Sequence, residues 1–173
     1  MFETRDDVRL LQELLDQSYA QAGPHLREVI TDDRRLDAAE LCTRMTGVRL
    51  LTLATVTSDH RPIAGPVDGI FYRGAFHFGS SPDSVRITHI RARPWVSATH
   101  LPGEELSVTV HGEATMLDLG SPLNAELRQT VLDMYTPRFG PEWETFLDAN
   151  IFARIEATRM FTFFMNETDT DPT

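Results

Sequence analysis

The chain has 173 residues, a formal net charge of -10 and a single cysteine, and all 16 of its basic residues are arginine. That length suits one domain with a real core. The acidic balance argues against a nucleic-acid or anionic-membrane partner, and the absence of lysine excludes a lysine Schiff base and so an internal aldimine to pyridoxal phosphate. Cys42 alone allows neither an intrachain disulfide nor a cysteine-based metal site.

Asp6 and Asp7 are placed to cap a first helix in which Val8, Leu11, Leu15 and Tyr19 recur near helical spacing. Gly23-Pro24 stops it. Leu26, Val29 and Ile30 mark a short second helix, and residues 31–35 read as a solvated loop. Asp37 to Thr46 forms a third helix with Leu41 and Met45 inward, closed by Gly47. Cys42 reads as a small buried hydrophobe, since no basic residue is predicted beside it.

From Val48 the apolar period changes to two. Val48 to Thr57 and Pro62 to Val67 form a hairpin around Ser58-Asp59-His60-Arg61, and Asp68-Gly69 is expected to break or bulge the second strand. Ile70 to Tyr72 and Ala75 to Phe78 make another hairpin across Arg73-Gly74. Trp95 to His100 and Leu106 to Leu117 follow as strands. A helix starts at Ser121-Pro122 and a short one at Pro141-Glu142-Trp143. Ile151 to Ala157 and Met160 to Phe164 read as final strands, with a frayed tail from Glu167. Short strands joined by turns, with one inserted helix, predict a small antiparallel barrel flanked by helices. No apolar run reaches the ~20 residues of a membrane span, and no signal-peptide core is visible, so a cytoplasmic protein is expected.

The inserted helix is the most informative stretch. Phe76 to Pro94 opens as a strand, passes Gly79, and supplies Ser80-Ser81-Pro82-Asp83-Ser84 before a basic segment with Arg86, Arg91 and Arg93. A strand that feeds a serine-rich helix start offers free amides, a positive dipole end, hydroxyls and a guanidinium, the parts of a phosphate cradle. The same residues also describe a plain capped helix with solvated arginines. His77, His89, His100 and His111 lie on separate elements, without the close spacing of a helical metal site, and no metal is expected. Trp95 and Trp143 read as core or interface residues, and Phe161, Phe163 and Phe164 as packing.

Taken in order, five segments resemble the pyridoxamine 5′-phosphate oxidase-like, FMN-binding split-barrel superfamily. They are Leu-Ala-Thr-Val (53–56), Asp-His-Arg-Pro-Ile-Ala-Gly-Pro-Val (59–67), Phe-His-Phe-Gly-Ser-Ser-Pro-Asp-Ser-Val-Arg (76–86), Arg-Pro-Trp-Val-Ser (93–97) and Val-His-Gly-Glu-Ala (110–114). The resemblance divides the chain into an N-terminal helical extension (1–36), the split-barrel domain (37–166) and a disordered tail (167–173). It implies a mainly β, antiparallel split-barrel homodimer with flavin in grooves at the subunit interface, acting on a small-molecule substrate.

The resemblance also implies site residues. Ser80, Ser81, Ser84 and Arg86 would hold the flavin phosphate. Where many relatives carry Ser-Arg-Lys, this chain has Ser84, Val85 and Arg86, and arginine can replace lysine as a bidentate phosphate partner. Pro66 and Val67 match the strand beside the isoalloxazine ring, with Thr55 on its neighbour. His111 matches a groove-lining strand. His60 stands where the family usually has glycine. The substrate-gripping C-terminal segment of a true pyridoxamine-phosphate oxidase has no counterpart here. The expected function is an FMN-dependent oxidoreductase. The alternatives are a reductase using deazaflavin F420, for which Arg27, Arg34 and Arg35 could form a basic patch, and a non-catalytic flavin or heme binder. No catalytic residue is named, because flavin hydride chemistry needs no dedicated acid or base.

Overall fold

Two tight reversals start the barrel. In the computed structural model, which describes residues 2–165, β1 (Val48–Val56) turns into β2 (Pro62–Tyr72) through a loop in which His60 takes the left-handed backbone region with φ 62°. Few non-glycine residues tolerate that region, which is why the turn would be more relaxed with glycine. β2 turns into β3 (Ala75–Ser80) through Arg73 and Gly74, both with positive φ, as a two-residue hairpin requires. The chain then forms α4 (Val85–Ala92), β4 (Trp95–His100), β5 (Leu106–Leu117), α5 (Ala125–Phe139), α6 (Trp143–Asp148) and β6 (Ile151–Phe164). The six strands close in the order β1-β2-β3-β6-β5-β4, each pair antiparallel.

Two expectations are corrected here. Asp68-Gly69 does not interrupt β2, which stays in unbroken register with β1 from Pro62 to Ile70 and runs on to Tyr72. Gly69 serves packing: a Cβ there would lie 2.6 Å from the Leu51 side chain and 3.1 Å from the His77 carbonyl oxygen. The last two predicted strands are one. β6 runs from Ile151 to Phe164, and its register with β5 shifts between His111 and Gly112. Thr158 sits in that irregularity and donates its hydroxyl to the His111 carbonyl at 3.1 Å. Gly112 is needed beside it, since a Cβ would fall 2.1 Å from the Glu156 carbonyl oxygen.

Three helices precede the barrel: α1 (Arg5–Ala20), α2 (Pro24–Val29) and α3 (Ala38–Arg44). The cap of α1 is Thr4 rather than Asp6 or Asp7. Thr4 accepts from the Asp7 amide at 3.2 Å, and the Asp7 carboxylate accepts from the Thr4 amide at 2.8 Å, a reciprocal capping box. Asp37 and Glu40 repeat the device on α3.

Leu11, Leu15 and Tyr19 of α1 are buried in the main core with Leu41, Met45, Leu51, Phe71, Phe76 and Met160. The helix also completes β6. β3 pairs with β6 only over Ile151–Arg154, so the following stretch needs other partners. The Met160 amide donates to Ser18 Oγ at 2.9 Å and the Thr162 amide to the Tyr19 hydroxyl at 2.7 Å. That hydroxyl donates in turn to the Thr162 carbonyl at 2.6 Å, and the Leu36 amide donates to Thr162 Oγ1 at 3.0 Å. A second, smaller core under α5 and α6 gathers Ile70, Leu127, Val131, Tyr135, Leu147 and Phe152. The expected tail, 167–173, lies outside the described residues. No helix among the described residues is long and apolar enough to cross a membrane.

Candidate functional site

β3 delivers Ser80 and Ser81 to the start of α4, and Ser84 caps that helix by accepting from the Ile87 amide at 3.2 Å. Ser80 Oγ and Ser84 Oγ lie 3.0 Å apart. From the first turn, Arg86 reaches back over β2. It donates Nη2 to the Pro66 carbonyl at 2.8 Å and Nη1 to Ser80 Oγ at 3.4 Å. It passes close to Gly65, where a Cβ would sit in ordinary contact, 3.7 Å from Nη2. Arg86 is half-buried and forms no ion pair among the described residues. Burial pushes its pKa below the ordinary guanidinium value. A desolvated cation without an anion, beside clustered hydroxyls and a helix N-terminus, is an anion-binding arrangement.

This corner opens into a cavity of about 390 Å³ lined by Pro66, Val67, Ser80, Ser81 and Arg86 together with Tyr135, Phe139, Trp143 and Phe146. The structure thus brings five sequence-named residues to one cavity and puts Ser84 in contact with it through Ser80. Thr55 and His111 lie elsewhere. Thr55 is buried on β1, its Oγ1 2.9 Å from His89 Nδ1. His111 is half-buried on β5, its Nδ1 2.8 Å from Ser97 Oγ, with an edge toward Phe161. Burial, and then the charge of Arg159, lower its pKa.

Other residues fall as follows. Trp143, expected in core or interface, packs against the second core and also lines the cavity. Its ring stacks on Tyr135 at 4.5 Å and 9°, on Phe146 at 4.6 Å and on Phe139 at 5.2 Å. Its Nε1 is buried without a hydrogen-bond partner among the described residues. The aromatic wall was missed, although the four rings recur at intervals of four, four and three, helical spacing for one face. Gly140-Pro141 within that run reads as a break and hides it. The C-terminal phenylalanines pack as expected: Phe161 against Tyr19, Phe163 under Arg34 and Phe164 under Arg44 at 3.8 Å.

Of Arg27, Arg34 and Arg35, only Arg35 is ion-paired among the described residues. Arg27 donates to the Ala20 carbonyl, Arg34 to that of Val29, and Arg35 to that of Ile30 while pairing with Asp32 at 2.7 Å. Cys42 is buried and its thiol is pushed up to about 12, mainly by burial, which leaves it unreactive.

A closed antiparallel six-stranded barrel with one helix inserted after its third strand defines the split-barrel class, and solved structures agree. No family model matches the chain. No curated protein matches it by sequence. A conserved hypothetical protein of Mycobacterium tuberculosis superimposes with a TM-score of 0.65 at 18% identity, over 82% of this chain and 93% of that one. The heme storage protein HutZ of Vibrio cholerae gives 0.56 at 18%, over 73% and 90%. An FAD-binding protein of Mesorhizobium loti gives 0.55 at 26%, over 77% and 98%. The resemblance read from the five segments therefore holds at the level of the fold.

Proposed function

We propose that the chain binds FMN in the Arg86 cavity and acts as a flavin-dependent oxidoreductase on a small molecule. One observation carries this reading: a half-buried arginine with no anionic partner, set among Ser80, Ser81 and Ser84 at the mouth of a cavity with aromatic walls. A flavin nucleotide fits these residues. Arg86, the serine hydroxyls and the first amides of α4 would hold the phosphate, and the main chain of Pro66–Asp68 would run along the ring. Bound flavin would supply hydride transfer, while the protein supplies binding, orientation and exclusion of water. The FAD-binding protein of Mesorhizobium loti, at 26% identity, supports a flavin.

Two alternatives have less support. The likeness to HutZ favours heme, yet no histidine lines this cavity among the described residues. Deazaflavin F420 would want a basic channel for its acidic tail, and none of Arg27, Arg34 and Arg35 lines the Arg86 cavity. The working form we propose is a cytoplasmic homodimer, because exposed Leu50 on β1, Trp95 on β4 and Leu101 just past β4 offer apolar surface to a second copy.

The test is a titration of FMN and riboflavin against wild type and Arg86→Ala. A charge-assisted hydrogen bond contributes roughly 1.5–3 kcal/mol. Arg86→Ala should weaken FMN about ten- to a hundredfold and leave riboflavin, which lacks the phosphate, unchanged. Equal FMN affinity in the two proteins would put the anion site elsewhere. A purified protein with a Soret band and no flavin absorbance would favour heme.

A further inference from the structure

The wall that α5 and α6 give the cavity has no part in holding a phosphate. Tyr135, Phe139, Trp143 and Phe146 form one aromatic tract across it. Phe139 and Phe146 are 48% and 52% exposed, and they line a concavity, not open surface. Exposed rings that converge on a cavity mark a recognition surface.

The polar atoms agree. Tyr135 is 3% exposed, and its hydroxyl has no hydrogen-bond partner among the described residues. Burial, with the nearby charge of Asp68, another cavity residue, raises its pKa, so it remains a neutral O–H. That hydroxyl is free to donate to an acceptor in the cavity.

We propose that this wall recognises a flat conjugated ring, which stacks on Phe139 and Phe146 and accepts a hydrogen bond from Tyr135 at its polar edge, while an anionic group on the same molecule meets Arg86. The cavity thus selects an aromatic ring compound carrying an acceptor and an anion. The inference rests on the Arg86 reading for its anionic end. The ring end belongs to an aromatic tract that none of the five family segments includes. The occupant is a small molecule and not a second protein, since a cavity of about 390 Å³ lined by both the Arg86 cation and the aromatic rings asks for charge and shape in one ligand.

Four probes separate the ends: FMN, riboflavin, anthraquinone-2-sulfonate (a flat, anionic ring with carbonyls that is no flavin) and hexane-1-sulfonate (an anion with no ring). Affinities are read by fluorescence or calorimetry for wild type, Phe146→Leu, Tyr135→Phe and Arg86→Ala, and circular dichroism confirms that each variant is folded. Phe146→Leu should weaken all three ring compounds about two- to tenfold. Tyr135→Phe should do so by a similar factor. Neither should affect hexane-1-sulfonate, and Arg86→Ala should affect only the anions.

If Phe146→Leu and Tyr135→Phe bind FMN like wild type while Arg86→Ala does not, the ring wall is overturned and the flavin reading stands. If wild type ignores both flavins but binds anthraquinone-2-sulfonate with the expected losses, the wall stands and the flavin reading falls. Failure to bind any ring compound overturns both. If Phe146→Leu changes the association state in sedimentation and no ring affinity, the wall is a subunit interface and the proposal is wrong.

Discussion

β6 is finished in opposite ways at its two ends. Toward its C-terminal end, α1 and the segment before α3 meet its polar groups one by one: Ser18 takes the Met160 amide, Tyr19 takes the amide and carbonyl of Thr162, and Leu36 takes its hydroxyl. At the other end Phe152 faces the Arg86 cavity. There a cation lacks an anion, a tyrosine hydroxyl lacks an acceptor and the Trp143 indole N–H lacks a partner among the described residues. The first end is scaffold, where the amides of Met160 and Thr162 are answered by the chain itself. The second is the surface we propose for recognition, where the unanswered groups are left for a ligand. The difference predicts that mutations at the scaffold end change stability without affinity, and those at the cavity end change affinity without stability.

Leu15→Ala should have the largest effect. Leu15 is 1% exposed in the main core, and truncating a buried leucine costs about 2–5 kcal/mol. Urea unfolding should show that loss while FMN affinity per folded molecule stays level. A large loss of affinity at unchanged stability would break the division of labour and make α1 part of the groove.

Next comes a pH effect at His77, on β3 between the two ends. His77 is 3% exposed, and its Nδ1 lies 3.1 Å from the Ala75 carbonyl, to which the neutral ring donates. Burial, helped by the charge of Arg154, holds its pKa at about 4. An unfolded histidine titrates near 6.5. Between those values the unfolded chain binds a proton that the folded chain does not, so stability falls as pH drops from 6.5 toward 4. The loss is roughly 3 kcal/mol across that window. Denaturant midpoints at several pH values should decline less steeply in His77→Gln than in wild type. Parallel declines would mean that His77 charges freely in the fold.

Arg86→Ala supplies the reverse case of Leu15→Ala. Its guanidinium is half-buried and holds only the Pro66 carbonyl and Ser80, so its removal should lower stability by about 1 kcal/mol or less. FMN affinity should still fall at least tenfold. If unfolding shifts as far as in Leu15→Ala, Arg86 is a scaffold residue.

How much of this was legible in the sequence follows the same line. The barrel could be read because β-strand alternation and turn residues are local signals: β5 was predicted with its observed ends, Leu106 and Leu117. Gly69 misled because glycine within a strand usually marks a bulge, and only the tertiary approach of Leu51 and His77 explains it. The Arg86 corner was legible because Ser80, Ser81, Ser84 and Arg86 are close in sequence. The aromatic wall was not, since its rings join β2 and β3 only through the packing of α5 and α6. Thr55 and His111 were named from family position, and in this chain they contact His89 and Ser97, away from the Arg86 cavity.

The smallest effect tests what holds the wall in place. Arg128 on α5 donates Nη1 to Asp148 at 2.6 Å and Nη2 to Glu144 at 3.0 Å, tying α6 to α5 beneath the aromatic tract. Surface ion pairs contribute about 0–1 kcal/mol each, and less at high salt. Arg128→Gln should therefore leave global unfolding within about 1 kcal/mol of wild type. Its effect should be local: amide exchange should quicken across Trp143–Asp148 and stay unchanged in β5 and β6, because α6 can open without opening the barrel. High salt should produce the same pattern in wild type. If exchange quickens equally in β6, α6 and the barrel open together, and the cavity wall is as much scaffold as α1.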